Sequence, residues 1–280
     1  MSMSVFLEKL EMSINGSNSL LCVGLDPDPR RMPIQDVFEF CAGIVDGAAE
    51  YSGAFKPNLG FFEALGIDGL TALKRMVEYI HDRYPGKLVI GDGKRGDIGS
   101  TSSRYATALF EFWDFDAVTV NAYGGRDSIQ PFLNYEDRGV FVWCKSSNPD
   151  GGQFQGERSR PGAELALFER MAEMSTEWNE NGNLGLVVGA TYPAELEKVR
   201  ELAPGIPILI PGVGSQRGDL ARSLRAGMER DFANILISSS RSINYASSDA
   251  KNFSQAAGKA ANLLRKEINT VLSDIDINHQ

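Results

Sequence analysis

Residues 90–99 (Ile-Gly-Asp-Gly-Lys-Arg-Gly-Asp-Ile-Gly) place two carboxylates and a lysine within six residues, at the end of an apolar run. Side chains alternate between the two faces of a strand, so Asp92 and Lys94 are predicted to point the same way. Asp97 follows a glycine, where the chain can turn this carboxylate back toward the lysine or out toward a partner chain. Charges this close are costly to desolvate, so their spacing indicates a function.

The elements that must position these charges form a regular alternation along the chain. Short apolar runs rich in strand-forming residues are separated by helical stretches, as in parallel sheets joined by helices. The predicted strands are 20–26, 54–58, 88–94, 117–121, 139–146, 184–190, 206–210 and 234–239. Eight such units in 280 residues predict an α/β fold, a (β/α)8 TIM barrel forming a single domain over residues 1–280. A doubly wound open sheet is the alternative, but it usually has fewer strands at this length, and no G-x-G-x-x-G follows the first strand.

Helices are predicted over residues 66–84, 101–112 and 253–272. One connection, 148–183, is unusually long. Its second half, 163–178, is predicted to be helical, and its first half is predicted to be a surface loop beside the site.

Composition excludes several classes of protein. Lys and Arg number 28 against 37 Asp and Glu, a net charge of -9 without a basic block, so nucleic acid and anionic membranes are not expected as partners. No apolar run reaches the roughly 18 residues of a membrane span, and the first residues lack a basic region followed by an apolar one. The protein is therefore predicted to be cytoplasmic.

Cysteine and histidine are too sparse for several common kinds of site. Cys22, Cys41 and Cys144 are far apart and odd in number, which predicts reduced, mostly buried thiols. The two histidines, His81 and His279, lie in a predicted helix and beside the C-terminus, so a histidine-centred triad or metal site is not expected. The chemistry must come from Lys, Asp, Arg and hydroxyl groups.

Functional groups of such barrels lie at the C-terminal ends of the strands, and polar residues recur there in this chain. Asp26 ends the first predicted strand, Lys56 lies near the end of the second, and Asp92 and Lys94 end the third. One charge at a strand end is commonly a cap or a surface ion pair. Four ionisable groups from three consecutive strands at one barrel mouth predict a catalytic cluster.

The loops after strands seven and eight are the usual phosphate site of these barrels. In this chain they contain Gly212 and Gly214, whose backbone N–H groups can approach an anion, and Arg241, which can bind a phosphate through two hydrogen bonds. Together these residues favour a phosphorylated ligand.

These residues resemble the orotidine 5'-phosphate decarboxylase family. The resemblance rests on the D-x-K-x-x-D pattern of residues 92–97, with Asp26 and Lys56 before it, and on the segments 147–149, 211–216 and 241–243 after it. Residues 55–58 and 94–98 resemble the longer bacterial-type subgroup. Where many members have glycine before the phosphate-binding arginine, this chain has Ser240.

The resemblance implies a decarboxylation that needs no metal and no organic cofactor. It makes Lys94 the proton donor to C6 of the pyrimidine, flanked by Asp92 and by Asp97 from the other subunit of a homodimer, with Lys56 ordering the charges. Asp26, Lys56 and Thr101 would bind the ribose, Ser147 the pyrimidine, and Gln216 and Arg241 the phosphate. The implied ligand-binding positions are Asp26, Lys56, Thr101, Ser147, Pro211, Gln216 and Arg241.

The residues present suit this reaction. Loss of CO2 from C6 leaves an electron pair in an sp2 orbital that the ring cannot delocalise, so a cation such as Lys94 must face it and then protonate it. Two carboxylates about 5 Å apart repel by roughly 3 kcal/mol at an effective dielectric near 20, so Asp92 and Asp97 need a lysine between them.

Three alternatives remain open at this point. A related phosphosugar enzyme with the same D-x-K-x-x-D strand would use Mg2+ and need a further acidic ligand, for which Glu63 is the candidate. A Schiff-base aldolase would need a lysine in apolar surroundings. A non-catalytic protein that binds a phosphorylated ligand would need the phosphate site but not the three charges together.

Overall fold

The computed structural model describes residues 3–157, 164–213, 219–229 and 234–277. Eight parallel strands pair in chain order and close into a barrel, β1 with β8. They are β1 (Leu21–Leu25), β2 (Ala54–Pro57), β3 (Leu88–Arg95), β4 (Ala117–Val120), β5 (Gly139–Lys145), β6 (Leu184–Val188), β7 (Ile208–Pro211) and β8 (Ile235–Ser239). The predicted (β/α)8 barrel is confirmed, and the open-sheet alternative is wrong because β1 and β8 pair.

Helices alternate with the strands around the outside. They are α1 (Val5–Ser17), α2 (Val37–Ala48), α3 (Leu59–Glu63), α4 (Gly66–Arg83), α5 (Gly99–Thr107), α6 (Gln130–Leu133), α7 (Gly152–Gln155), α8 (Leu167–Trp178), α9 (Pro193–Leu202), α10 (Leu220–Gly227), α11 (Arg241–Asn244) and α12 (Phe253–Ile277). The predicted helix 101–112 is α5 continued by a π-helical turn, Ala108–Phe112. The predicted surface loop contains a short 3-10 turn, Pro149–Gly151, followed by α7. These turns are local, and the Gln153 side chain donates a hydrogen bond to the Asp150 side chain across them.

The barrel interior is apolar at its lower end, where the strands begin. Side chains from the strands form one cluster there with Phe6 and Leu10 of α1. Phe6 meets Phe141 edge to face, with ring centroids 6.0 Å apart. Helix α1 therefore closes the bottom of the barrel, and only the upper end, where the strands finish, is left for polar groups.

Helices α2 and α12 pack closely against each other outside the first and last strands. Gly47 of α2 and Gly258 of α12 lie backbone against backbone, and a Cβ on either would collide with a carbonyl oxygen of the other helix. Two glycines thus let these helices approach closely. These helices flank the point where β1, which leads to Asp26, pairs with β8, which leads to Arg241.

Cys22, Cys41 and Cys144 are free and buried, as predicted from their spacing. Burial raises the pKa of the Cys22 and Cys144 thiols to about 12, so both are inert at neutral pH. No helix in the described ranges has the length and apolar character needed to cross a membrane.

Candidate active site

A polar cavity of about 320 Å³ opens at the upper end of the barrel. The ends of β1, β2, β3, β5, β7 and β8 and the loops after them contribute to its walls. Its lining includes Asp26, Lys56, Asn58, Asp92, Lys94, Trp143, Lys145, Ser147, Asn148, Pro211, Gly212, Ser240 and Arg241. The structure thus brings together the strand-end residues that the sequence singled out on six different strands.

Asp92 lies between two ammonium groups in this cavity. Its Oδ2 is 2.5 Å from Lys56 Nζ, and its Oδ1 is 2.6 Å from Lys94 Nζ. Thr119 of β4 donates a further hydrogen bond of 2.8 Å to Oδ1. The three charges and the hydroxyl form a continuous chain across β2, β3 and β4, which we call the mouth cluster.

The mouth cluster sets the charge of its members. Burial by itself would raise the pKa of Asp92, but Lys56 and Lys94 hold it well below its usual range. Burial would likewise lower the pKa of Lys56, yet the facing Asp92 and Asp26 raise it above the ordinary lysine value. The buried carboxylate and the buried ammonium therefore keep each other ionised.

Lys94 is held by an unusual backbone. Its φ is 46°, in the left-handed region that residues other than glycine seldom adopt, and the register of β3 against β4 shifts between Gly91 and Arg95. The Lys94 N–H donates to Thr119 Oγ1 at 3.0 Å, which secures this bend. The bend turns the lysine toward Asp92, as the predicted shared face requires, and strain of this kind is concentrated at functional sites.

Asp26 has unused hydrogen-bonding capacity. Its Oδ1 is buried and accepts no hydrogen bond from the described residues. Burial raises the pKa of Asp26, although Lys56 and a hydrogen bond from Ser240 oppose this. An unsatisfied buried acceptor in a cavity is a place where a hydroxyl group of a ligand can donate.

Asp97 and Thr101 lie outside the cavity formed by their own chain. Asp97 is exposed after the end of β3, and its Oδ1 accepts a hydrogen bond of 2.6 Å from the Ile98 N–H. Ile98 beside it is 70 % exposed. Of the two directions that the sequence left open for Asp97, the structure has the outward one.

The predicted phosphate site lies only partly within the residues that the structure describes. Gly212 has a φ of 96°, a conformation that favours glycine, and it lines the cavity with Pro211 and Arg241. Gly214 and Gln216 lie outside the described residues. Ser240 lies over Gly24, where a Cβ would collide with its hydroxyl oxygen, so serine at 240 fits because residue 24 is glycine.

Sequence reasoning missed two residues of this site, Thr119 and Trp143, and assigned no role to a third, Lys145, at the end of the fifth predicted strand. Thr119 binds both Asp92 and the Lys94 backbone, and the Trp143 ring centroid is 5.9 Å from Lys94 Nζ. Lys145 is 2 % exposed and its Nζ lies 4.9 Å from the Tyr192 ring centroid. Thr119 and Trp143 share the strand face of buried interior residues, so the period-two pattern could have found them.

A larger cavity of about 520 Å³ adjoins the polar one beneath the loop after β5. Trp143, Ser146 and Asn148 belong to the walls of both. The rest of the larger cavity is mostly apolar, with Leu167 and Met171 of α8 in its lining. Because the charges gather in the smaller cavity, that is where the chemistry is expected.

The chain matches a known protein family over most of its length. The family model described as Orotidine 5'-phosphate decarboxylase / HUMPS family matches residues 19–256. The chain belongs to this family. The matched range includes the mouth cluster, Asp26 and Arg241, so every charged group of the polar cavity falls within it.

The similarity to known proteins extends over nearly the whole chain. Orotidine 5'-phosphate decarboxylase of Dechloromonas aromatica (strain RCB) is 44% identical over 276 residues, covering 94% of this chain and 98% of that protein. The structure of Leishmania donovani OMP decarboxylase superposes with a TM-score of 0.83 and 38% identity, covering 96% of this chain and 98% of that one. The structure of Leishmania donovani UMP synthase superposes with a TM-score of 0.84 and 38% identity. The match covers 96% of this chain and 57% of that one.

Proposed function

We propose that this protein is a carboxy-lyase that converts orotidine 5'-phosphate to uridine 5'-phosphate and CO2 in pyrimidine biosynthesis. Family membership and relatives that match over almost their full length support the substrate. The observation that carries the chemistry is the mouth cluster, in which Asp92 holds the Lys94 ammonium at 2.6 Å in a polar cavity.

In this mechanism Lys94 faces C6 of the pyrimidine. When the C6–carboxylate bond breaks, its electron pair stays on C6 and CO2 leaves as a neutral molecule. The nearby ammonium stabilises the developing negative charge, and an N–H proton of Lys94 then forms the new C6–H bond. The neutral amine regains a proton from water once the product has left. Asp92 orients Lys94 before each turnover.

The remaining residues of the cavity are proposed to bind the nucleotide. Asp26 offers its unsatisfied Oδ1 to a ribose hydroxyl, with Lys56 beside it, and Arg241 binds the phosphate. The ligand-binding positions proposed are Asp26, Lys56, Ser147, Pro211 and Arg241 in the polar cavity, with Gln216 assigned by sequence resemblance. Phosphate binding far from C6 supplies energy for orienting the reacting ring.

We also propose that two copies of the chain form the working enzyme. Asp97 and Thr101 lie outside their own cavity, and Asp97 is exposed beside the apolar Ile98. Such a rim suits a homodimer in which Asp97 and Thr101 of each chain complete the site of the other. No metal or organic cofactor takes part in the proposed reaction, and the proposed location is the cytoplasm.

The Mg2+-dependent phosphosugar alternative has less support from the geometry. Glu63, its candidate ligand, is paired with Arg95 at the rim of the barrel. Among the described residues, no group of three or more His, Cys, Asp or Glu side chains is arranged to hold a metal ion. The Schiff-base alternative needs a lysine in apolar surroundings, whereas Lys94 is in contact with a carboxylate.

A spectrophotometric assay with orotidine 5'-phosphate, with and without EDTA, tests the proposal. We expect loss of the orotate absorbance and release of one CO2 per uridine 5'-phosphate formed, at the same rate with and without EDTA. Activity that EDTA abolishes and Mg2+ restores would favour the metal-dependent class. Binding of uridine 5'-phosphate without release of CO2 would identify a non-catalytic binding protein.

A further inference from the structure

The short helix α11 connects two parts of the polar cavity. It begins with Arg241 in the cavity wall, and its last residue, Asn244, is 1 % exposed and lies against the loop after β1. Asn244 Nδ2 donates to the Gly24 carbonyl oxygen at 2.7 Å, and its Oδ1 accepts from the Asp26 N–H at 3.0 Å. One amide side chain thus satisfies backbone groups on both sides of Leu25.

The next residue, Tyr245, continues the same contact. Its hydroxyl donates to the Asp26 carbonyl oxygen at 2.5 Å and accepts from the Asp28 N–H at 2.8 Å. The ring is itself fixed, because it stacks on Phe40 at 5.8 Å between centroids and lies 3.9 Å below the Arg31 guanidinium. Four hydrogen bonds from two adjacent residues therefore hold the backbone around Asp26.

Closing the barrel does not require these four bonds. The pairing of β1 with β8 already joins the strands and ends at Val23 opposite Ser239. The contacts of Asn244 and Tyr245 lie beyond that last pair, at Gly24 near the end of β1 and at Asp26 and Asp28 after it. They extend the link between the two strands to Asp26, whose buried Oδ1 accepts no hydrogen bond from the described residues.

We propose that Asn244 and Tyr245 are positioning residues that hold the Asp26 carboxylate at a fixed place relative to Arg241. Resting on the proposed function, this makes the two groups one recognition unit for a nucleoside monophosphate: Arg241 takes the phosphate, and Asp26 takes a sugar hydroxyl of the same molecule. A carboxylate that is already in place loses little conformational freedom on binding, so the ligand hydroxyl contributes more to affinity. Loosening the contact should therefore reduce the selectivity for that hydroxyl.

Selectivity is measured as a ratio of dissociation constants. The probes are uridine 5'-monophosphate and its 2'-deoxy and 3'-deoxy analogues, each titrated into the full-length protein. In the wild type we expect at least one deoxy analogue to bind about tenfold more weakly, the loss of one hydrogen bond to a charged group. In Tyr245→Phe, which keeps the ring and removes the hydroxyl, we expect this ratio to fall about threefold or more.

A matched control separates positioning from a general effect on the fold. Tyr84→Phe removes a hydroxyl that bonds the Asp46 carboxylate at 2.7 Å on the outer helices, and its ratio should equal that of the wild type. Asn244→Ser is the second variant, and it should lower the ratio in the same direction as Tyr245→Phe. Circular dichroism and thermal unfolding of each variant establish that the compared proteins are folded.

The possible results test the positioning role and the proposed reaction separately. A folded Tyr245→Phe protein with the wild-type ratio would overturn the positioning role, and so would a wild type that binds all three nucleotides equally. A wild type that binds the nucleotide selectively but releases no CO2 from orotidine 5'-phosphate would refute the proposed reaction and leave the positioning role standing.

Discussion

Two clusters in this molecule pair aspartates with cationic side chains, and they do so in different ways. The mouth cluster joins Lys56, Asp92 and Lys94 inside the barrel, where the first two side chains are 6% and 9% exposed. A second, lower cluster lies outside the opposite end of the barrel, where β3 and β4 begin, and the exposed fractions of its side chains run from 17% to 53%. It consists of His81, Asp114, Asp116, Asp137 and Arg138.

The two clusters differ in what their hydrogen bonds satisfy. In the lower cluster Asp116 accepts from the Val89 N–H at 2.9 Å, and Arg138 donates to the Phe115 carbonyl oxygen at 2.9 Å, so its charges hold chain segments together. In the mouth cluster the contacts of Asp92 are to two ammonium groups and a hydroxyl, all on side chains. Buried charges whose bonds go only to other side chains, as those of Asp92 do, are expensive as structure, which is why we assign the mouth cluster a catalytic task.

The largest expected effect is at Lys94. Lys94→Ala removes both the cation facing C6 and the proton donor, so kcat should fall by at least about 1,000-fold while uridine 5'-phosphate still binds. Steady-state kinetics and product titration measure the two quantities. Lys198→Ala is the matched control, because Lys198 forms an exposed ion pair with Glu201 on α9, and it should keep wild-type kinetics. Equal losses in both variants would contradict the catalytic role of Lys94.

Asp92→Asn should impair both activity and folding. It leaves two lysines facing each other without a carboxylate, which should lower kcat and cost about 3 kcal/mol in the free energy of unfolding in urea at pH 7. The folded-state pKa of Asp92 lies below its unfolded value, so the stabilisation is present above about pH 4. It should shrink as the pH falls toward the folded-state pKa. A wild-type advantage that stays constant through strong acid would contradict this assignment of charge.

Asp97 should act in the neighbouring subunit. Asp97→Ala and Lys94→Ala proteins are each expected to be nearly inactive, since every homodimeric site then lacks one group. If mixed and allowed to exchange subunits, they should recover about a quarter of wild-type activity, because half of the dimers are mixed and each has one intact site. Mixing either variant with itself is the control. A mixture as inactive as its components would place Asp97 in the site of its own chain or outside the reaction.

The smallest effect is expected in the lower cluster. The hydrogen bond to Asp116 raises the pKa of His81 against the opposing effect of burial, so protonated His81 stabilises the fold. That stabilisation is fully present below the unfolded pKa near 6.5 and is lost as the pH rises through the folded-state pKa. His81→Ala should therefore cost about 0.5–1 kcal/mol at pH 5.5, less at pH 8.5, with unchanged kcat. Thermal unfolding at the two pH values measures the difference. A larger cost at pH 8.5 would contradict a stabilising role for protonated His81.

The fold was predictable because its signals are local. Each strand is a short apolar run, and helix α4 (Gly66–Arg83) begins at its predicted residue and ends one residue early. Strand β3 runs one residue past its predicted end to Arg95, because the bend at Lys94 restores pairing with β4. The helix predicted from residue 163 begins at Leu167, where the Glu169 side chain accepts a hydrogen bond from the Ala166 N–H.

The candidate site was predictable only where strand ends and periodicity mark it. Alternation predicts that Asp92 and Lys94 share a face, and in the structure the bend at Lys94 brings the two side chains into contact at 2.6 Å. The role of Thr119 depends on the register between β3 and β4, which a single sequence does not specify. Asn244 and its partner Asp26 are 218 residues apart in the chain, so only closure of the barrel reveals that contact.

Proton exchange at C6 tests the central claim most directly. If Lys94 faces C6 and protonates it, the reverse step should remove the C6 proton of a bound product analogue in D2O. A 5-fluoro substituent makes that proton more acidic, so 5-fluorouridine 5'-monophosphate is the suitable probe, followed by proton NMR. We predict deuterium at C6 with the wild type and Lys198→Ala, and none above background with Lys94→Ala. Exchange at the wild-type rate in Lys94→Ala would contradict the account.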